Sequence, residues 1–157
     1  MSALSTPSLP SVVLIDDEPE EIFFAVHALK KGGVKHPVTT FEDPEKAIDH
    51  FKRACASTAR IPVAAVFCDV KMPELTGFEV VRILRAMPQM KGVPIWMISG
   101  SDAPSDLEAA KNSGADGYIV KPANPAQIAA VVHGQEPPAF KRGSATPFGS
   151  WIASRSR

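Results

Sequence analysis

The chain has 157 residues, 45% of them hydrophobic, which is enough for one ordinary domain with modest tails but not for two full domains. Seventeen basic residues balance seventeen acidic residues, so the net charge provides no global attraction to nucleic acid, an anionic membrane or an acidic substrate. No stretch approaches the roughly 18 continuous apolar residues of a membrane span, and residues 1–10 do not have the pattern of a secretory signal.

The two cysteines, Cys55 and Cys68, fit neither a disulfide framework nor a metal-ligand spacing. We therefore expect reduced thiols in a cytoplasmic protein that binds neither membrane nor nucleic acid. Nothing after His133 predicts a helix-turn-helix, which also disfavours a DNA-binding regulator.

The chain begins with a Ser- and Pro-rich stretch, residues 1–10, that predicts a disordered lead-in. The apolar run 12–15 then predicts a buried strand, which ends abruptly at Asp16 and Asp17. Pro19 suits the first turn of a helix, and Gly32-Gly33 ends that helix. The apolar stripe that predicts its core face consists of Ile22, Phe23, Val26 and Leu29.

Four more strands alternate with four more helices along residues 38–133. Strands are predicted at about 38–41, 63–68, 94–99 and 117–120, and helices at about 44–54, 75–87, 104–112 and 125–133. Because parallel strands need crossovers, which are almost always helical and right-handed, this alternation predicts a doubly wound parallel sheet with helices on both faces. One domain over residues 11–133 accounts for all ten elements.

Residues 134–157 form a Pro/Gly/Ser-rich tail, predicted to be flexible or to dock on the domain. The last helix is apolar nearly all round at residues 128–132, so its outer face should be covered. The tail, a second protomer and a target protein are all candidates for this cover, and we favour a dimer or partner surface over tail packing.

Polar side chains follow four of the predicted strands where each strand ends. Asp16 and Asp17 follow the first strand, Asp69 the third, Ser99 ends the fourth and Lys121 follows the fifth. Functional groups in open parallel sheets gather at this edge. Clustered carboxylates persist at neutral pH only if a cation neutralises them or some protons are retained, and oxygen ligands without His or Cys indicate Mg²⁺ as the cation. A carboxylate nucleophile, a metal, a hydroxyl and an ammonium together suit phosphoryl transfer.

Four short motifs carry a resemblance to a known family. They are Val-Leu-Ile-Asp-Asp at 13–17, Asp-Val-Lys-Met-Pro-Glu-Leu-Thr-Gly at 69–77, Ile-Ser-Gly at 98–100 and Gly-Tyr-Ile-Val-Lys-Pro at 117–122. In this order and at these spacings the chain resembles the receiver domain of bacterial response regulators, of the single-domain, CheY-like type. The resemblance implies a flavodoxin-like sheet of five strands in the order 2-1-3-4-5, with five helices.

The resemblance also implies roles at the strand ends. Asp69 resembles the phosphoacceptor, and Asp16, Asp17 and the backbone carbonyl of Lys71, together with Asp69, resemble the Mg²⁺ ligands. The side chain of Lys71 places a cation beside this site.

Three further residues match a switching apparatus in the family. Ser99 resembles the hydroxyl that moves toward the phosphoryl group, Tyr118 the aromatic ring that then turns inward, and Lys121 the lysine that pairs with the phosphate. Lys121 precedes Pro122, where such families often have a cis bond. The surface formed by helix 4, strand 5 and helix 5 is the expected output surface and one candidate for a homodimer contact.

The resemblance implies a signalling domain that takes a phosphoryl group from a histidine kinase or phosphotransfer protein and then binds an output protein; it is not a metabolic enzyme. Two alternatives stay open. One is a phosphorylation-independent scaffold on the same fold, in which Asp16 and Asp17 are only helix N-terminal acids. The other is a phosphatase of the haloacid-dehalogenase type, disfavoured because Lys71 stands where such enzymes place a second Asp.

Overall fold

The computed structural model describes residues 9–57, 61–138 and 145–148, and these form a six-stranded sheet in the order β2-β1-β3-β4-β5-β6. The first five strands are parallel, and β6 is antiparallel to β5. The elements are β1 Ser11–Ile15, α1 Pro19–Lys31, β2 Val38–Phe41, α2 Pro44–Ser57, β3 Val63–Asp69, α3 Gly77–Arg85, β4 Ile95–Ser99, α4 Pro104–Ser113, β5 Gly117–Val120, α5 Pro125–Val132 and β6 Ala145–Pro147, with a short 3₁₀ turn at Pro88–Met90.

The doubly wound fold and the order 2-1-3-4-5 are thus confirmed, and β6 is an additional strand that the sequence did not predict. The central strands β1, β3 and β4 are apolar without alternation because helices cover both of their faces. Ile15 is in register with Cys68, and Ser99 with Val120, so these strands end at one edge of the sheet. This register brings the polar residues at the strand ends together.

The core lies in two layers, one on each face of the sheet. On one face α2, α3 and α4 bury Phe51 and Tyr118 among apolar neighbours. On the other face α1 and α5 pack over Phe67 and Trp96. The described helices do not include one that is long and apolar enough to cross a membrane.

Helix α3 begins two residues later than the sequence pattern predicts, because Thr76 caps it. The Thr76 hydroxyl accepts from the Glu79 N–H, and the Glu79 carboxylate accepts from the Thr76 N–H, a reciprocal capping box. Asn124 caps α5 in a similar way by accepting from the N–H groups of Ala126 and Gln127.

The predicted core stripe of α1 is wrong at Phe23. Phe23 is 67% exposed and its neighbour Phe24 is 58% exposed, so neither belongs to the core. Successive helical residues are turned by about 100°, and the face packed against the sheet includes Ala25 instead. The residues of α1 on this face are Ile22, Ala25, Val26, Ala28 and Leu29.

The expectation that a partner covers α5 is also corrected. All residues from Gln127 to Val132 are buried within the chain itself, against α1 and the sheet. The chain after α5 is tied to this helix where the Gln127 side chain donates to the Pro138 carbonyl, 3.0 Å. A homodimer through α4, β5 and α5 stays a prediction.

Part of the predicted tail docks on the domain, where β6 pairs with β5. Tyr118 is in register with Thr146, and the Phe148 N–H donates to the Asp116 carbonyl at 2.7 Å. Phe148 packs against the core layer that contains Tyr118. Predictions for residues 1–8, 139–144 and 149–157 lie outside the described residues.

Candidate functional site

Three carboxylates meet at the carboxyl edge of the sheet, where β1 and β3 end. One oxygen from each of Asp16, Asp17 and Asp69 lies within 4.8 Å of the others. Asp16 and Asp69 are buried, and one Asp16 oxygen accepts from the Glu18 N–H at 3.0 Å. This bond fixes the turn between β1 and α1 and with it the direction of the Asp16 carboxylate.

Lys121, just after β5, places its ammonium among the carboxylates. Its Nζ lies 2.9 Å from Asp16 Oδ2, 3.1 Å from Asp69 Oδ1 and 3.5 Å from Glu21 Oε2. Its backbone N–H donates to the Ser99 carbonyl at 2.7 Å, which anchors the loop to the end of β4. Burial opposes the charge on this ammonium, but hydrogen bonds and attraction from Asp16 and Asp69 raise the pKa of Lys121 above its ordinary value.

The same surroundings disfavour the charged form of Asp69, whereas they favour the charged form of Lys121. Burial, reinforced by the negative charges of Asp16 and Asp17, raises the pKa of Asp69 from 3.8 to about 6, although the charge and hydrogen bond of Lys121 oppose this rise. Asp69 is therefore largely ionised at pH 7.5, yet its charge is unfavourable in the folded protein. An additional cation at this position would relieve the repulsion.

A divalent cation fits the donors present. Asp17 Oδ1 is buried and has no hydrogen-bond partner, so this oxygen lacks the compensation that a buried charged group needs. The cluster offers carboxylate oxygens only, and its atoms are close enough to share one small ion. Oxygen donors of this kind match Mg²⁺ rather than a softer transition metal.

A cleft of about 450 Å³ opens above Asp69, and Ser99 and Lys121 line it. Ser99 is buried, and its hydroxyl oxygen accepts from the Ser101 N–H at 3.2 Å. Lys71 is exposed and also lines the cleft. A group attached to Asp69 would therefore lie between a hydroxyl and an ammonium.

Tyr118 connects this cleft to the outer strands. Its ring is fully buried, its hydroxyl donates to the Ser101 carbonyl at 2.8 Å, and burial raises the pKa of Tyr118. Because Ser101 also donates to Ser99, the chain 99–101–118 links the cleft to β5 through two hydrogen bonds. The peptide bond between Lys121 and Pro122 is cis.

Gly77, the first residue of α3, lies directly against the end of β3. Its N–H donates to the Val70 carbonyl at 2.8 Å, and a Cβ at Gly77 would overlap the Asp69 backbone oxygen and lie 2.5 Å from Met97 Cε. Only glycine permits this approach of α3 to the end of β3.

The structure brings Asp16, Asp17, Asp69 and Lys121 together and places Ser99 on the same cleft, whereas Tyr118 lies beneath the neighbouring loop. The Mg²⁺ contact of the Lys71 carbonyl stays a prediction. Sequence reasoning missed Glu21, the additional carboxylate beside Lys121. The available signal was its place in the first turn of the helix that follows Asp16 and Asp17, one turn beyond the cluster.

Comparisons with known proteins identify the family and the fold of the chain. A family model described as the response regulator receiver domain matches residues 12–133. The solved structure of the chemotaxis response regulator CheY4 of Vibrio cholerae has a TM-score of 0.66 and 28% identity, and the match covers 80% of this chain and 98% of that chain.

Two curated relatives match over part of their length. Probable cyclic di-GMP phosphodiesterase of Vibrio cholerae serotype O1 is 26% identical over 123 residues, which are 78% of this chain and 26% of that protein. Two-component response regulator ORR7 of Oryza sativa subsp. japonica is 28% identical over 86 residues, 54% of this chain and 41% of that protein. The chain thus spans less than two thirds of the length of these relatives.

Proposed function

The chain belongs to the response regulator receiver domain family, and on this premise we propose that it accepts a phosphoryl group on Asp69 and transmits that event to a partner protein. The observation that carries the proposal is the arrangement around Asp69. Its carboxylate lies at the base of a cleft with the Lys121 ammonium 3.1 Å away and the Ser99 hydroxyl on the wall. These are the groups needed to bind the oxygens of an incoming phosphoryl group.

In the proposed reaction an Asp69 oxygen attacks the phosphorus of a phosphohistidine. The new bond is an acyl phosphate P–O bond; the P–N bond breaks, and its electron pair stays on the imidazole nitrogen of the donor. Lys121 offsets negative charge on the transferred group, and Ser99 donates to one of its oxygens. The chain supplies these groups as a phosphoacceptor in a signalling family, rather than as a metabolic enzyme.

The residues proposed to hold Mg²⁺ are Asp16, Asp17 and Asp69, with the Lys71 carbonyl as a further ligand. When bound, the ion would neutralise charge on the carboxylates and on the phosphoryl oxygens. The unpartnered Oδ1 of Asp17 supports this assignment.

We propose that the link between the cleft and β5 carries the response. A phosphoryl oxygen that accepts from the Ser99 hydroxyl draws this hydroxyl away from the Ser101 N–H, and movement of the 99–101 segment then removes the carbonyl that holds the Tyr118 hydroxyl. The surface formed by α4, β5 and α5 then shifts between two populations with different partner affinity.

The proposed phosphoryl donor is a histidine kinase or a histidine phosphotransfer protein, and the proposed setting is the cytoplasm. The family supports this kind of donor. The output protein is proposed to bind the α4–β5–α5 surface, whose outer strand edge is covered by β6 within the chain.

Labelling with acetyl phosphate and Mg²⁺, followed by intact-mass and peptide mass spectrometry, tests this proposal. The wild-type chain should gain one phosphoryl group on the peptide that contains Asp69, and Asp69→Asn should abolish this gain. Asp49→Asn, an exposed change of the same type on α2, is the matched control and should label normally. A wild-type chain that takes no label would favour the scaffold alternative, and label retained by Asp69→Asn would place the acceptor elsewhere.

A further inference from the structure

Glu21 is an acidic side chain at the site that the proposed phosphoryl transfer does not use. It lies in the first turn of α1, with its Oε2 3.5 Å from Lys121 Nζ. Resting on the function proposed above, we propose that Glu21 is a positioning residue that competes with the phosphoryl group for Lys121. Its carboxylate thereby weakens phosphoryl binding and slows phosphorylation of Asp69.

The donors of the Lys121 ammonium account for the competition. An ammonium has three N–H groups. Two hydrogen bonds go to Asp16, at 2.9 Å, and to Asp69, at 3.1 Å, while the Glu21 carboxylate at 3.5 Å is within ion-pair distance only. The donor that is left for a phosphoryl oxygen is therefore the one that Glu21 attracts.

Local structure places Glu21 there. The Glu18 N–H donates to Asp16, and the Glu21 N–H donates to the Glu18 carbonyl at 3.1 Å, so the first turn of α1 is joined to the acidic cluster. Glu21 lines the cleft above Asp69 together with Ser99. The position of its side chain is thus set by the same turn that sets Asp16.

Glu21 also lines a second cavity of about 310 Å³ between α1 and the loop after β5. The walls of this cavity include apolar side chains such as Leu14 and Phe67. Beside an apolar wall the charge of Glu21 is screened less than at an open surface, although its side chain is still 32% exposed. Through Lys121, the charge of Glu21 should therefore change the affinity for a phosphoryl group several-fold, and this change should depend on salt.

Acidic residues in a first helical turn are common because the helix dipole favours them, and this alone would be a structural role. Glu20 allows the two roles to be separated, since it lies in the same first turn and is exposed. The variants Glu21→Gln and Glu20→Gln remove the same charge from the same turn. Only Glu21→Gln removes a negative charge that lies beside the Lys121 ammonium.

Binding of beryllofluoride, a phosphoryl mimic, tests the inference when followed by ¹⁹F NMR in the presence of Mg²⁺. We expect Glu21→Gln to bind the mimic about fivefold more tightly than wild type at low ionic strength, from the loss of one nearby negative charge. The difference should shrink at high salt. The rate of labelling by acetyl phosphate should rise in the same variant, and Glu20→Gln should match wild type in both measurements.

Separate titrations with Mg²⁺ alone identify the cause, because the inference expects the loss of a nearby carboxylate to leave Mg²⁺ binding unchanged or weaker. Tighter Mg²⁺ binding by Glu21→Gln would overturn the inference, as would equal beryllofluoride affinities for the two variants. If wild type neither binds beryllofluoride nor takes label, the proposed function itself fails. If wild type does both and the variants are alike, only the role of Glu21 fails.

Discussion

Replacing the proposed phosphoacceptor should make the metal-free protein more stable. Asp69 is buried beside Asp16 and Asp17, and this environment raises its pKa to about 6. Asp69→Asn removes the unfavourable charge but keeps an oxygen that can accept from Lys121. The variant should therefore lose phosphorylation and gain stability at neutral pH.

The size of the gain follows from the two pKa values. Asp69 titrates at about 6 in the folded protein and near 3.8 when unperturbed. Each unit of difference between the two pKa values corresponds to about 1.4 kcal/mol, so ionisation of Asp69 costs the folded state about 3 kcal/mol above pH 7. We expect Asp69→Asn to recover about 1–3 kcal/mol, since its amide pairs more weakly with Lys121 than a carboxylate does.

The direction of the pH dependence is fixed by linkage. The folded protein holds the Asp69 proton more firmly than the unfolded chain, so the associated stability is fully present below pH 3.8 and is lost as the pH rises through about 6. The advantage of Asp69→Asn over wild type should thus be largest at pH 7.5 and much smaller at pH 4.5. Mg²⁺ should stabilise wild type more than the variant, because the variant lacks one ligand.

Urea unfolding followed by circular dichroism, with EDTA or with Mg²⁺ at each pH, measures these differences. Asp49→Asn serves again as the exposed control and should change stability little. The reasoning is refuted if Asp69→Asn is less stable than wild type at pH 7.5 in EDTA, or if the difference is the same at both pH values.

Three other changes have predictable outcomes. Arg85→Ala should cost about 3 kcal/mol in urea unfolding, because Arg85 donates to three backbone carbonyls and pairs with Asp116 at 2.6 Å; a loss below 1 kcal/mol would contradict this. Gly77→Ala should cost about 1–3 kcal/mol and also slow labelling of Asp69, whose backbone it displaces; normal stability and labelling would count against the overlap. Removing residues 145–157 should speed hydrogen exchange at β5, measured by mass spectrometry, and unchanged protection would argue against β6 pairing.

Much of the fold was predictable because its signals are local. Buried parallel strands appear as short apolar runs, and each of the five ends where a polar residue, proline or glycine stops the pattern. Helix starts were marked by proline in the first turn, as at Pro19 and Pro125. These signals depend on the neighbouring residues alone, so no tertiary contact was needed to interpret them.

The features that were missed depend on tertiary contacts. Strand β6 is only three residues, Ala145–Pro147, without apolar alternation, and it forms because the edge of β5 offers backbone partners. Phe23 was assigned to the apolar stripe of α1, but Ala25 is buried against the sheet and both phenylalanines of α1 are exposed.

The site likewise contains residues that could be predicted from the sequence and one, Glu21, that could not. The carboxyl ends of parallel strands lie at one edge of the sheet, so the convergence of Asp16, Asp69 and Lys121 follows from their places at the strand ends. The 3.5 Å approach of Glu21 to Lys121 depends instead on how the first turn of α1 is held, which no residue pattern specifies.

Lys121 balances several buried or half-buried carboxylates. This arrangement destabilises the metal-free protein and leaves Asp69 ionised near neutral pH. The repulsion among the carboxylates lowers stability and attracts cations to this edge of the sheet, whereas Lys121 opposes that repulsion and helps to keep the Asp69 carboxylate ionised.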